Sequence, residues 1–172
     1  MINEIFNFNN LLFIIYNQFF FSFDQNPEQE DIGTGGREDS TFMSPENSNI
    51  KKGKDALKQA LKLTKKNKPK KANKKFEKAI KYFVLAYENS PEDIKLLNQL
   101  GFTYNLVGDY LMSEIYYQEA LIIDPKNPII NQRLGELYIN TQRMELAKER
   151  LKVLSLCNCE EYINLKKIID RN

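Results

Sequence analysis

The sequence predicts an all-α fold in which helical hairpins repeat along the chain and stack into an α-solenoid. Three observations predict it: apolar residues recur at helical spacings of three and four, related residues recur every 34 positions, and helix breakers separate the periodic stretches. A shift by 34 positions aligns Leu100-Gly101, Tyr104, Tyr110, Tyr117, Ala120 and Pro125 with related residues, which are Leu134-Gly135 and Tyr138 downstream and Phe76, Phe83, Ala86 and Pro91 upstream. We expect about three hairpins, followed by a helix that covers the last one.

The amino-acid composition argues against catalysis. The 172 residues include no histidine, which removes the commonest general base, the histidine relays to serine or cysteine, and histidine metal sites. No cluster of glycines follows a predicted strand, where it would hold a nucleotide phosphate. We therefore expect a chain that is not an enzyme and that uses no cofactor and no metal.

Residues 1–23 form a hydrophobic segment that we interpret as a signal or a membrane anchor. Residues 5–23 contain no charged side chain, and these 19 residues are enough to cross a bilayer as a helix. The start is atypical of a cleaved signal, because Glu4 stands where basic residues are usual. Any membrane contact is expected through residues 5–23, whether the segment is cleaved or retained. The alternative is a true start at Met43, which would make the protein cytoplasmic.

The next two segments carry opposite charge. Residues 24–50 hold seven acidic residues and one arginine, hence −6, without apolar periodicity, so we expect a disordered linker. Residues 51–81 hold fourteen lysines against Asp55 and Glu77, hence +12. Such a run is typical of a solvated helix face, against which the acidic linker can also lie. The alternative is a surface for anionic membrane or nucleic acid, of which nucleic acid is disfavoured because arginine, the better phosphate reader, is absent.

Residues 51–172 are assigned to one repeat domain. Its parts are, in order, repeats at about 51–93, 94–127 and 128–159 and a capping helix at 160–171. The first repeat is expected to hold helices at about 50–66 and 70–89, because Asn67-Lys68-Pro69 interrupts the periodicity between them. The apolar stripe near the end of the chain suits a helix that closes a solenoid.

The second repeat carries the clearest pattern. Gly101 permits a close approach of two helices, because glycine has no Cβ atom. Val107-Gly108-Asp109 breaks the hairpin, and Asp124-Pro125 ends it, since proline biases its predecessor away from the α region.

On these residues the second repeat resembles a tetratricopeptide repeat. Residues 94–125 carry the family's Leu-Gly, tyrosine, glycine, aromatic, alanine and proline positions. The third repeat keeps Leu134-Gly135 and Tyr138 but has Gln142 in place of the turn glycine, and the first repeat matches only in its second helix. The end of the chain, a repeat followed by CNCEEYINLKKII, is similar to small bacterial envelope proteins of this family that have a signal sequence. The resemblance implies a location in the cell envelope, either periplasmic or anchored in the inner membrane.

The resemblance also implies a peptide-binding groove on the concave side of the solenoid, and hence a non-catalytic scaffold or adaptor whose partner is a protein or peptide. The face opposite the core in the first helices of the second and third repeats holds Lys95, Asn98, Phe102, Asn105, Ile129, Gln132, Glu136 and Ile139. Phe102 is expected to face solvent there, and Tyr104 to lie in the core. The alternative is that this face packs under the chain's own linker or terminal helix. A clamp for a terminal carboxylate is disfavoured, because Ile129 stands where such relatives need a lysine.

Cys157 and Cys159 lie between the third repeat and the capping helix. In an oxidising envelope two cysteines favour a disulfide, which would act as a local structural link. Their one-residue spacing makes a strained ring, and strained disulfides are the more easily reduced ones. A thiol redox role at this pair is therefore a third functional hypothesis, beside protein binding and anion binding.

Overall fold

The computed structural model of the protein describes residues 45–172, and these residues form seven α-helices and no strand. The helices are α1 Pro45–Lys65, α2 Pro69–Tyr87, α3 Ile94–Val107, α4 Tyr110–Ile123, α5 Pro128–Asn140, α6 Met144–Leu154 and α7 Glu160–Ile169. The predicted all-α solenoid is therefore confirmed for this part of the chain. The hydrophobic segment 1–23 and most of the predicted linker lie outside the described residues.

The helices pack as three hairpins, α1 with α2, α3 with α4, and α5 with α6, each joined by a short connection. Successive hairpins stack because α2 contacts α3 and α4 contacts α5. The terminal helix α7 packs against both α5 and α6, as expected of a cap. The apolar core follows this stacking, and its largest fully buried side chains include Phe83, Leu100, Tyr117, Leu134 and Leu165.

The first helix begins earlier than the sequence predicted. We expected a linker up to residue 50, but α1 begins at Pro45. Proline is favoured at the first position of a helix, because its fixed φ suits the first turn. The polar residues Asn47, Ser48 and Asn49 give this turn the composition of a linker, so composition alone misplaced the boundary.

Three helical glycines lie where a side chain of another helix packs directly on the helix backbone. A Cβ atom added at Gly101 would lie 2.5 Å from the Tyr117 ring, and one at Gly135 would lie 2.6 Å from a Leu165 methyl group. The close approach predicted at Gly101 is thus confirmed. Gly53 has the same role in the first hairpin, where an added Cβ would lie 2.5 Å from the Phe83 ring. Gly53 does not stand out in the sequence, because α1 and α2 are longer than the other helices and shift it out of the 34-residue register.

Aromatic and charged contacts join neighbouring hairpins. Tyr116 of α4 stacks on Tyr104 of α3 with ring centroids 5.5 Å apart and meets the edge of Tyr87 of α2 at 5.6 Å. The Tyr87 hydroxyl also donates a hydrogen bond of 3.1 Å to Glu119 of α4. The two contacts of Tyr87 fix the second hairpin against the first, whereas the Tyr104–Tyr116 pair joins α3 and α4 within the second hairpin. Offset and edge-on ring pairs add to the burial of apolar surface.

The third hairpin lacks two features of the second. In the second, Gly108 adopts a left-handed φ of 84°, and the Asp109 carboxylate caps α4 by accepting from the Met112 amide at 3.1 Å. One period later Gln142 occupies the left-handed position at φ 60°, and α6 has no side-chain cap. Arg143 instead forms an ion pair of 2.8 Å with Glu114 of α4.

We expect Gln142→Gly to increase the free energy of unfolding by roughly 0.5–1 kcal/mol. The left-handed conformation costs a residue with a Cβ atom about 1–2 kcal/mol, and glycine avoids this cost. Glycine also gives the unfolded chain more conformational freedom, which offsets part of the gain in stability. The exposed Gln142 side chain has little contact to lose. Urea denaturation measures the change. Gly108→Gln is the matched control and should lower stability by a similar amount, although nothing lies within 4 Å of the added Cβ. A Gln142→Gly variant less stable than the parent would contradict the assignment.

We expect Gly101→Leu to destabilise the chain by about 1–3 kcal/mol, because the new side chain must displace the Tyr117 ring. The control is Lys95→Leu in the same helix, where the side chain is exposed and the change should be within about 0.5 kcal/mol. Thermal and urea denaturation compare the two variants. Equal stability of Gly101→Leu and the parent would show that α3 and α4 are not packed in this register.

Candidate functional site

The first helices of the second and third hairpins adjoin on the side that holds the predicted groove. α3 contacts α5, and the guanidinium carbon of Arg133 lies 4.6 Å from the centre of the Phe102 ring. This cation–π contact joins the two helices beneath the groove. The stacking of Arg133 on Phe102 does not follow from the sequence pattern, because the two residues lie in different repeats.

Five of the eight predicted groove residues are accessible. Lys95 is exposed, Ile129 has 42% of its surface exposed, and Asn98, Asn105 and Gln132 are half-buried. The Asn98 amide oxygen is buried and accepts no hydrogen bond from the described residues. The accessible side chains are therefore one lysine, one isoleucine and three half-buried carboxamide residues, a mixture that suits a polypeptide better than a small charged ligand.

The other three predicted groove residues are buried. Phe102 is 1% exposed, and Glu136 and Ile139 are 5% and 9% exposed. The expectation that Phe102 faces solvent is therefore wrong, and Tyr104, which was assigned to the core, is the half-buried member of the pair. A helical wheel gives the direction of a side chain but not the depth of the groove, and here Arg133 covers the Phe102 ring.

Glu136 is a buried carboxyl group beneath the groove. It accepts a hydrogen bond of 2.7 Å from the Gln132 amide. Burial raises the pKa of Glu136 above its ordinary value of 4.5, while the Gln132 hydrogen bond and the Arg133 charge partly oppose the rise. Burial likewise raises the pKa of Tyr117 to about 12, opposed mainly by the charge of Arg133. Arg133, Glu136 and Tyr117 thus form a polar cluster beneath the face on which the groove was predicted.

The two cysteines lie where the sequence placed them. Cys157 and Cys159 are joined by a disulfide in the turn that leads into α7, and Cys159 directly precedes the first residue of that helix. The link shapes the entry to the capping helix. A redox role for this pair stays a hypothesis.

The lysines of residues 51–81 form a continuous feature of α1 and α2, which we term the lysine surface. All fourteen are exposed except the half-exposed Lys75. On the opposite face of α1, Leu57, Ala60 and Leu61 are buried against the core. The arrangement agrees with the predicted solvated face of an amphipathic helix.

An open cleft of 180 Å³ lies between α1 and α2 within the lysine surface. Its centre is the Tyr82 ring, and the ammonium groups of Lys52 and Lys78 each lie 5.8 Å from the ring centroid. Lys75 and Asp55 also line the cleft. The convergence of Lys52 and Lys78 on the Tyr82 ring does not follow from the sequence pattern, because the two lysines belong to different helices.

Within residues 45–172, none of the helices is long and apolar enough to cross a membrane. In the same range no group of acidic residues and cysteines is arranged to hold a metal ion.

Comparison with known proteins identifies the repeat. The family model described as tetratricopeptide repeat matches residues 94–127, which are α3, α4 and their connections. Solved tetratricopeptide domains also share the fold of the described hairpins. Residues 94–127 therefore match a tetratricopeptide repeat in sequence, and the described hairpins share the fold of such repeats. No curated protein matches the chain in sequence.

Three solved structures illustrate this likeness of fold. The second tetratricopeptide domain of human RPAP3, solved in complex with an HSP70 peptide, has a TM-score of 0.54 at 16% identity. The alignment covers 74% of this chain and 99% of the RPAP3 domain. The first domain of Spaghetti (RPAP3), bound to an HSP90 peptide, has a TM-score of 0.52 at 19% identity, with 71% and 93% covered. The type III secretion translocator chaperone SycD of Yersinia enterocolitica has a TM-score of 0.51 at 18% identity, with 70% and 88% covered. At these identities the likeness shows the fold alone.

We expect Glu136 to make stability depend on pH. Because its pKa is raised in the folded chain, the folded state keeps a proton that the unfolded state loses above the ordinary value of 4.5. The free energy of unfolding therefore falls as pH rises from that value through the raised pKa. Glu136→Gln keeps an oxygen that accepts from Gln132 and removes the titration.

The measurement is urea denaturation of parent and Glu136→Gln at a series of pH values from below 4.5 upward. The variant should gain stability relative to the parent as pH rises across this window, and the difference should then become constant. A difference that is the same at every pH would mean that the carboxyl is not buried.

Proposed function

We propose that the tetratricopeptide domain is a non-catalytic protein-interaction module, a scaffold or adaptor, that binds a segment of a partner protein in the groove between α3 and α5. The observation that carries the proposal is the accessible row on these helices, which is Lys95, Asn98, Asn105, Ile129 and Gln132. It is supported by the fold, since the two similar RPAP3 domains are solved with peptides bound.

The chemistry of the groove favours an extended peptide. The half-buried carboxamides of Asn105 and Gln132 offer polar groups that can hydrogen-bond a peptide backbone. Ile129 offers an apolar contact for one side chain, and Lys95 favours an acidic residue nearby. A clamp for a terminal carboxylate is a poorer fit, because Arg133 is stacked on Phe102 and Ile129 supplies no charge.

Peptides selected from a displayed library against the full chain test this function. We expect Lys95→Glu and Asn98→Ala each to weaken binding of the selected peptides about tenfold, with little loss of stability, because these side chains border the groove. Leu111→Ser is the control, since Leu111 is 70% exposed on α4, outside the groove.

The control should bind the peptides as the parent does. Peptides whose binding depends on Leu111 and ignores both groove residues would contradict the proposal. Failure to select any peptide from a diverse library would also contradict it.

We also propose that the protein acts in the cell envelope. The support is the uncharged stretch of residues 5–23, which precedes the tetratricopeptide domain. Cell fractionation of the native host should place the full chain in the envelope fraction, and removal of residues 5–23 should move it to the cytoplasm. A native protein found in the cytoplasm with Met43 at its amino terminus would overturn this location.

A further inference from the structure

The lysine surface of α1 and α2 is an interaction surface without an assigned partner. We propose that it docks reversibly on an anionic phospholipid membrane, through electrostatic contact with the headgroups and without insertion into the hydrocarbon. The charge of the surface, its breadth and the kinds of side chain that it holds point to this partner. The contact involves only the first hairpin and is independent of the groove between α3 and α5.

Positive charge is concentrated on the first hairpin. Residues 51–81 hold fourteen lysines and two acidic residues, hence +12, whereas residues 82–172 hold ten basic and thirteen acidic residues, hence −3. A domain with this asymmetry turns its positive side toward an anionic surface, because the surface attracts one part of the domain and repels the other. Charge complementarity therefore favours a negatively charged partner for α1 and α2 alone.

The lysines form a broad face rather than a narrow groove. Along α1, five exposed lysines recur at spacings of three and four and so share one face of the helix: Lys51, Lys54, Lys58, Lys62 and Lys65. They cover about 21 Å of the helix axis. On α2, which packs along α1, lysines continue from Lys70 to Lys81. Charge that is distributed over two adjacent helices matches an extended plane of phosphates better than it matches a single strand.

The cleft around Tyr82 joins the lysines of the two helices. The ammonium groups of Lys52 and Lys78 each lie 5.8 Å from the ring centroid, and Lys75 lines the same cleft of 180 Å³. Among the side chains that the structure describes, none of these three lysines forms an ion pair, although Asp55 also lines the cleft. Three ammonium groups are thus left for an external anion, and the open cleft can admit the phosphate of a lipid headgroup.

The side chains of the surface favour a contact at the level of the headgroups. Among the described residues, the large apolar side chains that are exposed all lie from Val107 onward, so α1 and α2 offer none for insertion into hydrocarbon. Residues 51–81 also contain no arginine. Arginine binds phosphate bidentately and stacks on aromatic rings, whereas a flexible lysine stem carries a point charge that adapts to an uneven charged surface. A membrane is therefore favoured over a nucleic acid.

The first experiment maps which lysines the membrane covers. The full chain is mixed with vesicles of one part phosphatidylglycerol to two parts phosphatidylcholine, or of phosphatidylcholine alone, and is labelled with an amine-reactive reagent that mass spectrometry locates. A surface covered nine-tenths of the time is labelled about tenfold less, so we expect this loss on the lysine surface with anionic vesicles only. Lys126, Lys152 and Lys167, which are exposed on other helices and turns, should keep their labelling.

The protection should disappear at about 0.5 M salt, where exposed charges are screened. Equal protection of both sets of lysines, or no protection of the lysine surface on anionic vesicles, would show that the proposal is wrong.

The second experiment measures partition onto the same vesicles by cosedimentation. The readout is the ratio of partition on anionic vesicles to partition on neutral vesicles, relative to the parent. Residues 5–23 are the same in every variant, so their contribution cancels. The cleft variant combines Lys52→Gln, Lys75→Gln and Lys78→Gln. A lysine near an anionic surface contributes about 1 kcal/mol, or about fivefold, so this variant should lower the ratio roughly a hundredfold. The fold should be retained, because these side chains are not buried.

A control of equal net charge separates docking from general attraction. It combines Lys126→Gln, Lys152→Gln and Lys167→Gln, which lie outside the first hairpin. We expect it to keep the ratio within about twofold of the parent, because exposed charges are screened over about 10 Å. Equal loss by the control and the cleft variant would contradict docking through the lysine surface. A single-stranded oligonucleotide that the parent binds more tightly than the anionic vesicles, at the same salt, would assign the surface to nucleic acid instead.

Discussion

The close contact between a helical glycine and a large side chain of another helix is the constraint on which the rest of this structure depends. Gly53 meets Phe83, Gly101 meets Tyr117, and Gly135 meets Leu165, each at a distance that leaves no room for a Cβ atom. Interiors packed at this density do not yield gradually, so these contacts fix how the helices are spaced. Each hairpin can bury its apolar faces only through such contacts and the neighbouring hairpin, which is why the repeats stack.

The spacing set by these contacts positions the side chains of the proposed groove. Because Gly101 lets Tyr117 lie against α3, Tyr117 also contacts the polar cluster of Arg133 and Glu136 beneath the groove. Arg133 then covers Phe102 and leaves the carboxamides and Ile129 at the surface. The same packing that forms the core therefore decides which side chains remain available to a partner, and the lysine surface lies on a different hairpin.

Much of the fold could be predicted from the sequence, and less of the site. The 34-residue period identified Gly101, Gly135, the turn at Gly108 and the order of the hairpins, since each follows from local spacing. Gly53 was missed because the longer first hairpin is out of register, and α1 began before the predicted boundary at a proline within a polar stretch. The burial of Phe102 was not predictable from its own helix, since it depends on an arginine of the next repeat. Depth within a groove is a property of the assembled solenoid.

Amide chemical-shift mapping by nuclear magnetic resonance tests most directly the claim that the packed hairpins present α3 and α5 as one binding face. The experiment titrates a library-selected peptide into the isotopically labelled full chain. The account predicts that the largest shifts fall on both helices, within residues 94–107 and 128–140, while the lysine surface and the outer face of α4 change little. Shifts confined to a single helix, or centred on α1 and α2, would contradict it.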